Sequence, residues 1–262
     1  MNWKVWNTIV FVLVIAMNAL ANLLPINGKT TGEISNQINV LITPAGYAFS
    51  IWSLIYILIG IWIIRQFIGD RGESPVYTNT WPWFIMSGLF NIGWLLVWHY
   101  ELFLLSIVFM LMYLISLIML YRRLTEARAT ILEKAPFSIN LGWISVATIV
   151  NIAYVLKVNG WNGFGLTDEI WTMIMLAIGA VLAVLFRIRE GDFLYPLVFV
   201  WAYIAIGVKN MGEAEMAAFT AFIAAVVILI ADIIPWRKKK LGDSRHVPGL
   251  IYFVGTVILF LF

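Results

Sequence analysis

Nine long apolar runs constrain the fold of this chain more than any other feature. A helix needs about 20 apolar residues to cross the hydrocarbon core of a bilayer. The runs occupy residues 3–24, 44–67, 81–98, 102–121, 136–157, 170–188, 193–209, 215–235 and 247–262. Only 12% of the 262 residues are charged, whereas a soluble domain of this length needs far more charged surface. We therefore predict an all-α, polytopic membrane bundle of about nine transmembrane helices.

Basic residues alternate with these runs. Three of the 17 lysines and arginines, Lys29, Lys157 and Lys209, fall on one side, and the other fourteen fall on the opposite side with the N-terminus. Because basic loops stay cytoplasmic, we predict a multi-pass protein of a bacterial cell membrane. Its N-terminus would be cytoplasmic, its C-terminus outside, and the loop of residues 27–42 would face outward. The first run also resembles a signal peptide, but it continues to Pro25, which favours a retained helix.

Several classes of chemistry are excluded by what the sequence lacks. There is no cysteine, and His99 and His246 are too far apart for a histidine-based metal site. No acidic or basic residue lies near the middle of any run, which argues against a proton-coupled pump. The basic loops are explained by membrane orientation, so we expect no nucleic-acid partner. We predict no cofactor and no metal, and the lipid bilayer as the surrounding partner.

An aromatic stripe opens the second run. Phe49, Trp52 and Tyr56 stand three and four residues apart, so they share one face of a helix that we predict to start at Pro44, with Thr43 as its N-cap. Such a stripe fits either the wall of a pocket for a flat ligand or ordinary packing.

Polar residues recur inside other runs beside tryptophan. Asn91 precedes Trp94 by three residues, and Trp143 precedes Asn151 by eight. These amides fit either hydrogen bonds between helices or the polar floor of a pocket. Tryptophans at the run ends, Trp98 among them, fit an interfacial aromatic belt.

The stretch Pro44-Ala45-Gly46-Tyr47-Ala48-Phe49-Ser50-Ile51-Trp52-Ser53-Leu54-Ile55-Tyr56 resembles the tryptophan-rich sensory protein family, also called the translocator protein or peripheral benzodiazepine receptor family. The family pattern is roughly Pro-Pro-Gly-Trp-Val-Phe-Gly-Pro-Val-Trp-Thr-Leu-Leu-Tyr. Asn91-Ile92-Gly93-Trp94 and Pro136-Phe137, with Trp143 and Asn151, are similar to further family motifs. Ala45 and Ser50-Ile51 replace the second Pro and the Gly-Pro pair, and Val155 replaces a family Trp.

This resemblance implies a five-helix translocator-like core over residues 1–157 and an extension of about four transmembrane helices over residues 158–262. It also implies an integral membrane binding or sensory protein for flat apolar ligands, either porphyrin- or haem-type tetrapyrroles or sterol-like molecules. The ligand-binding residues carried over are Tyr47, Phe49, Trp52, Tyr56, Asn91, Trp94, Trp143 and Asn151.

Two other functions remain open at this stage. The uncharged interior also fits a membrane component of a transporter or exporter, acting on an apolar solute. An enzyme is less favoured: His99 and Glu101 form a near-adjacent pair, but interfacial solvation explains both residues. Small residues around Gly179 leave a homodimer open without specifying one.

Overall fold

The computed structural model describes residues 3–24 and 26–235, and all regular structure within those ranges is helical. The helices are α1 (Trp3–Leu23), α2 (Thr31–Ser35), α3 (Ile51–Arg65), α4 (Pro75–Thr78), α5 (Trp81–His99), α6 (Phe103–Glu126), α7 (Ile131–Val158), α8 (Asp168–Glu190), α9 (Leu194–Asn210) and α10 (Glu215–Ile233). In the described part of the chain, seven helices are long and apolar enough to cross a membrane, and α9 is an apolar helix of 17 residues. The predicted helical membrane bundle is confirmed, and the predicted ninth run, 247–262, lies outside the described residues.

Five helices close a ring. Around it, α1 contacts α5, α5 contacts α6, α6 contacts α7, α7 contacts α3, and α3 returns to α1. Helix α7 is the most enclosed of them, with 18 of its 28 residues buried, and it also contacts α8 and α9. Helices α8, α9 and α10 pack against one another on the outer side of α7. The predicted division of the chain at residue 157 stays a prediction.

Two glycines allow helices to approach closely. A Cβ atom on Gly88 of α5 would lie 2.3 Å from Cγ1 of Val10 on α1. A Cβ atom on Gly142 of α7 would lie 3.0 Å from the carbonyl oxygen of Tyr195 on α9. The first glycine therefore sets the spacing within the ring, and the second sets the spacing between the ring and α9.

Each end of the bundle carries an ion pair. At the end that we call the basic end, Lys4 pairs with Glu73 at 2.8 Å. At the opposite end, which we call the far end, Lys29 pairs with Glu101 at 2.5 Å. Which end faces the cytoplasm stays a prediction.

The chain between α1 and α3 folds over the far end of the ring, and we call residues 26–48 the cap. Thr30 caps α2: its hydroxyl accepts from the Glu33 amide, and the Glu33 carboxylate accepts from the Thr30 amide. The predicted helix start at Pro44 is wrong. Residues Gly46–Ser50 form a 3₁₀ turn and α3 begins at Ile51. Ala45 cannot belong to the helix because its backbone is extended, with φ −57° and ψ 148°, and its amide bonds to the Ala205 carbonyl of α9.

Candidate functional site

A cavity of about 490 Å³, which we call the ring cavity, lies between α1, α3, α5 and the cap. One side of it is aromatic. The other side is polar but uncharged, with amide and hydroxyl groups from α1 and the cap. The aromatic residues are Phe49, Trp52, Tyr56 and Trp94, and the polar ones include Asn18, Asn22, Thr30, Thr31 and Asn36. This combination suits an apolar ligand that carries a few polar groups.

The aromatic side is held rigid by ring contacts. Trp52 and Tyr56 stack, with centroids 5.4 Å apart and planes 18° apart. Phe49 and Trp52 each meet Trp143 of α7 edge to face, at 5.7 Å and 6.3 Å. Offset-stacked and edge-to-face pairs are the favoured aromatic geometries, so these contacts fix the orientation of the wall.

A small slot of about 50 Å³ lies next to the ring cavity, and the two share Thr31, Phe49 and Trp94. Two of its residues, Thr43 and Trp98, are 1% and 3% exposed. The Thr43 hydroxyl and the Trp98 indole N–H have no hydrogen-bond partner. A buried donor without a partner is costly, so a ligand or water acceptor placed here would relieve that cost.

Amide side chains behind the wall position the tryptophan. The Trp94 indole donates to Oδ1 of Asn151 at 3.2 Å, and the Asn151 amide donates to the hydroxyl of Ser106 at 2.9 Å. On the α1 side, the Asn18 amide donates to Oδ1 of Asn91 at 2.9 Å. The Asn91 amide nitrogen and the Tyr56 hydroxyl are buried without partners. Asn91 and Asn151 therefore support the cavity wall through these bonds.

The predicted ligand-binding residues separate into three groups. Phe49, Trp52, Tyr56 and Trp94 line the ring cavity, and Trp143 lines the slot. Asn91 and Asn151 stand behind the wall. Tyr47 lies apart, because its exposed ring meets Trp201 of α9 edge to face at 5.4 Å. A ligand-binding role for these eight residues stays a prediction.

Sequence reasoning missed part of the site. Trp98, predicted as part of an interfacial belt, is buried and stacks on Trp94 with centroids 5.6 Å apart. The four-residue spacing of the two tryptophans was the available signal, since it places them on one helix face. The Thr30-x-x-Glu33 pattern likewise indicates the capping box of α2.

One part of the cap is tied to the turn between α5 and α6. Glu101 pairs with Lys29 at 2.5 Å and accepts from the Gln37 amide at 3.3 Å. The Asn27 amide donates to the carbonyl of His99 at 3.1 Å. The hydrogen bond from Lys29, followed by that from Gln37, lowers the pKa of Glu101 below its usual value.

His99 lies beneath this part of the cap and is only 1% exposed, so its predicted interfacial solvation is wrong. Its Nδ1 is 2.7 Å from the Leu95 carbonyl, which can only accept, so Nδ1 carries the proton. In the neutral ring, Nε2 then accepts from the Thr31 hydroxyl at 3.4 Å. Glu101 is directed toward Lys29. His99 and Glu101 therefore each bond to the cap and do not form a catalytic dyad.

The other part of the cap is tied to α9. The Asn210 amide donates to the Leu41 carbonyl at 2.8 Å, and the Lys209 ammonium reaches the Val40 carbonyl at 3.4 Å. The Trp201 indole donates to the Ala48 carbonyl at 3.1 Å. Helix α9 therefore holds the chain that leads into the aromatic wall.

Within residues 3–24 and 26–235, no cluster of three or more His, Asp or Glu side chains could hold a metal ion. The ring cavity offers a ligand aromatic surfaces and uncharged hydrogen-bonding groups.

Comparison with known proteins gives one family. The model of the family described as "TSPO-like protein" matches residues 4–234. The match covers α8, α9 and α10 as well as the ring. No curated protein and no solved structure gave a significant match.

Proposed function

The chain belongs to the TSPO-like protein family, and we propose that it is an integral membrane protein that binds flat apolar ligands in the ring cavity. The observation that carries this proposal is the aromatic wall of Phe49, Trp52 and Tyr56 facing a cavity of about 490 Å³. Pockets for ligands of drug size span about 300–1,000 Å³, so the volume is adequate. A flat ligand gains most from such a wall, because ring faces provide a large contact area.

Tetrapyrroles are the ligand class that this cavity suits best. A porphyrin offers two ring faces to Trp52 and Trp94, and its carboxylates can accept hydrogen bonds from neutral amides. Asn22 and Asn36 line the same cavity and carry such amides, whereas both N–H groups of Asn18 are already bonded, to Val14 and Asn91. A sterol-like molecule offers no π face and only one hydroxyl, so it would use fewer of these groups.

Quenching of intrinsic tryptophan fluorescence tests the proposal on the purified full chain. We expect saturable quenching by protoporphyrin IX, and weaker competition by a sterol. Trp52→Ala removes a stacking surface and should weaken porphyrin binding about tenfold or more.

Trp6→Ala is the matched control, because Trp6 is an exposed tryptophan of α1 that does not line the ring cavity. It should change the total fluorescence without changing the affinity. The proposal fails if neither ligand quenches saturably, or if both variants lose affinity equally.

A further inference from the structure

A second cavity, of about 270 Å³, lies at the far end and outside the ring. It is bounded by cap residues 39–41, the end of α7, the loop of residues 161–166 and the start of α8. We call it the end cavity. Its lining is separate from that of the ring cavity, although both touch the cap.

The interior of the end cavity is apolar. Val40, Ile152 and Met175 line it at 6%, 1% and 9% exposure. These side chains come from the cap, α7 and α8, so the apolar surface exists only where the three elements meet. It offers a place for hydrocarbon.

Two tryptophans form an aromatic wall beside this surface. The rings of Trp161 and Trp171 have centroids 4.8 Å apart. The Trp171 indole donates to the carbonyl of Gly163 at 2.6 Å, which fixes its orientation. Gly163 has a φ of +62°, and a Cβ there would lie 2.8 Å from the Trp171 ring, so the loop needs glycine at this position.

The rim of the end cavity carries one cation and one anion. Lys157 and Asp168 form an ion pair, with side-chain exposures of 37% and 61%. Both residues line the cavity. A purely anionic ligand would leave Asp168 facing like charge, and a purely cationic ligand would do the same to Lys157. The two residues already pair with each other, so a zwitterion, which brings one charge of each sign, can exchange with both halves of the pair and leave neither charge unpaired.

We propose that the end cavity binds one zwitterionic amphiphile, whose headgroup carries a phosphate and an ammonium and whose body is hydrocarbon. The phosphate bonds to Lys157, the ammonium lies between Asp168 and the two indole faces, and the hydrocarbon covers Ile152 and Met175. A bilayer phospholipid supplies this chemistry, whereas a free headgroup compound lacks the hydrocarbon. The proposal does not depend on what the ring cavity binds.

Native mass spectrometry of the purified full chain in a non-ionic detergent tests this directly, because it counts bound molecules. The probes are dihexanoylphosphatidylcholine, its phosphatidylglycerol counterpart and free phosphocholine. We expect one saturable choline lipid, about tenfold weaker binding of the anionic lipid, and weak binding of free phosphocholine because it lacks hydrocarbon. Tight binding of free phosphocholine, or equal binding of the two lipids, would contradict the proposal.

Substitutions at the rim should change selectivity as well as affinity. Asp168→Asn should weaken binding of the choline lipid about tenfold. It should strengthen binding of the anionic lipid, because the repulsion between Asp168 and that lipid is removed. A misfolded protein would lose the single saturable site, whereas the proposal expects one bound lipid with its selectivity inverted. Lys29→Gln is the matched control, since it breaks another ion pair at the far end without touching the end cavity. If Asp168→Asn lowers both affinities, or Lys29→Gln gives the same inversion, the proposal is overturned.

Discussion

The two attachments of the cap hold neighbouring stretches of chain by different chemistry. The first attachment joins Lys29 and Gln37 to Glu101, with side chains that are partly exposed. The second joins the carbonyls of Val40 and Leu41 to side chains of α9. Exposed ion pairs contribute little and are screened by salt, whereas the partly buried bonds to α9 are less screened and more costly to leave unmade.

The first part of the cap also has one buried hydrogen bond, from the Tyr154 hydroxyl of α7 to the Ile34 carbonyl at 2.9 Å, so it is anchored at Ile34. Residues 30–32 and 36, which line the ring cavity, lie on either side of this anchored residue. Residues 40–48 lead into the aromatic wall and are held by α9.

The largest effect is expected where the second attachment is broken. Asn210 is 2% exposed and donates to the carbonyls of Leu41 and Ile206, both at 2.8 Å. Asn210→Leu leaves the partly buried Leu41 carbonyl without this donor and should destabilise the protein by about 1–3 kcal/mol. Thermal unfolding in detergent measures the loss.

Asn22→Leu is the control for that substitution. Asn22 is an exposed asparagine that bonds only one turn back along α1, to the Asn18 carbonyl at 2.8 Å. It should shift the unfolding temperature little. Equal shifts for both variants would remove the distinction between the attachments.

A smaller and local effect is expected where the first attachment is broken. Glu101→Gln should leave global stability nearly unchanged but increase opening of residues 30–37 about fivefold, or ~1 kcal/mol. Because the chain has no cysteine, one engineered thiol reports opening without background. Maleimide should label Ser35→Cys faster in the Glu101→Gln background, while Thr43→Cys stays protected.

Glu126→Gln is the matched control for the ionic change, because it breaks the exposed Arg123–Glu126 pair at the other end of α6. It should alter neither labelling rate. Equal acceleration at Ser35→Cys and Thr43→Cys would show that the cap opens as one unit.

The smallest effect is expected from acid alone. Hydrogen bonds from Lys29 and Gln37 lower the pKa of Glu101, so the stabilisation it gives is present above the ordinary glutamate pKa of about 4.3 and is lost as pH falls through the lower folded value. Hydrogen exchange of residues 30–37, corrected for intrinsic rates, should therefore be flat from pH 7 to about 5 and rise below about 4. Residues 39–45 should not follow. Glu101→Gln should reduce the rise and leave the part due to Glu33, whose pKa is also lowered, by hydrogen bonds from the Thr30 amide and hydroxyl.

Local patterns predicted much of the fold because they depend on residues near one another in sequence. Apolar runs located the eight longer helices of the described chain, and the spacing of Phe49, Trp52 and Tyr56 placed them on one cavity. The start of α3 was mispredicted because the backbone of Ala45 is extended, in a conformation in which its amide bonds to the distant Ala205.

The rest of the site depends on contacts that no local pattern encodes. Lys29 and Glu101 are 72 residues apart, and Tyr47 meets Trp201 rather than the cavity. His99 is likewise buried because α2 packs against it, with the Thr31 hydroxyl 3.4 Å from Nε2. Such outcomes depend on tertiary packing, which propensity and periodicity do not contain.

The bond between Leu41 and Asn210 also has a consequence for synthesis of the protein. The two residues are 169 positions apart, so a ribosome must add all of that chain before the bond can form. At about 5–20 residues per second, this takes roughly 8–34 s. The residues of the aromatic wall are therefore synthesised before α9, which donates the hydrogen bonds that hold the chain leading into the wall. During that interval the nascent cap exposes carbonyls that a membrane chaperone or the insertion machinery can occupy.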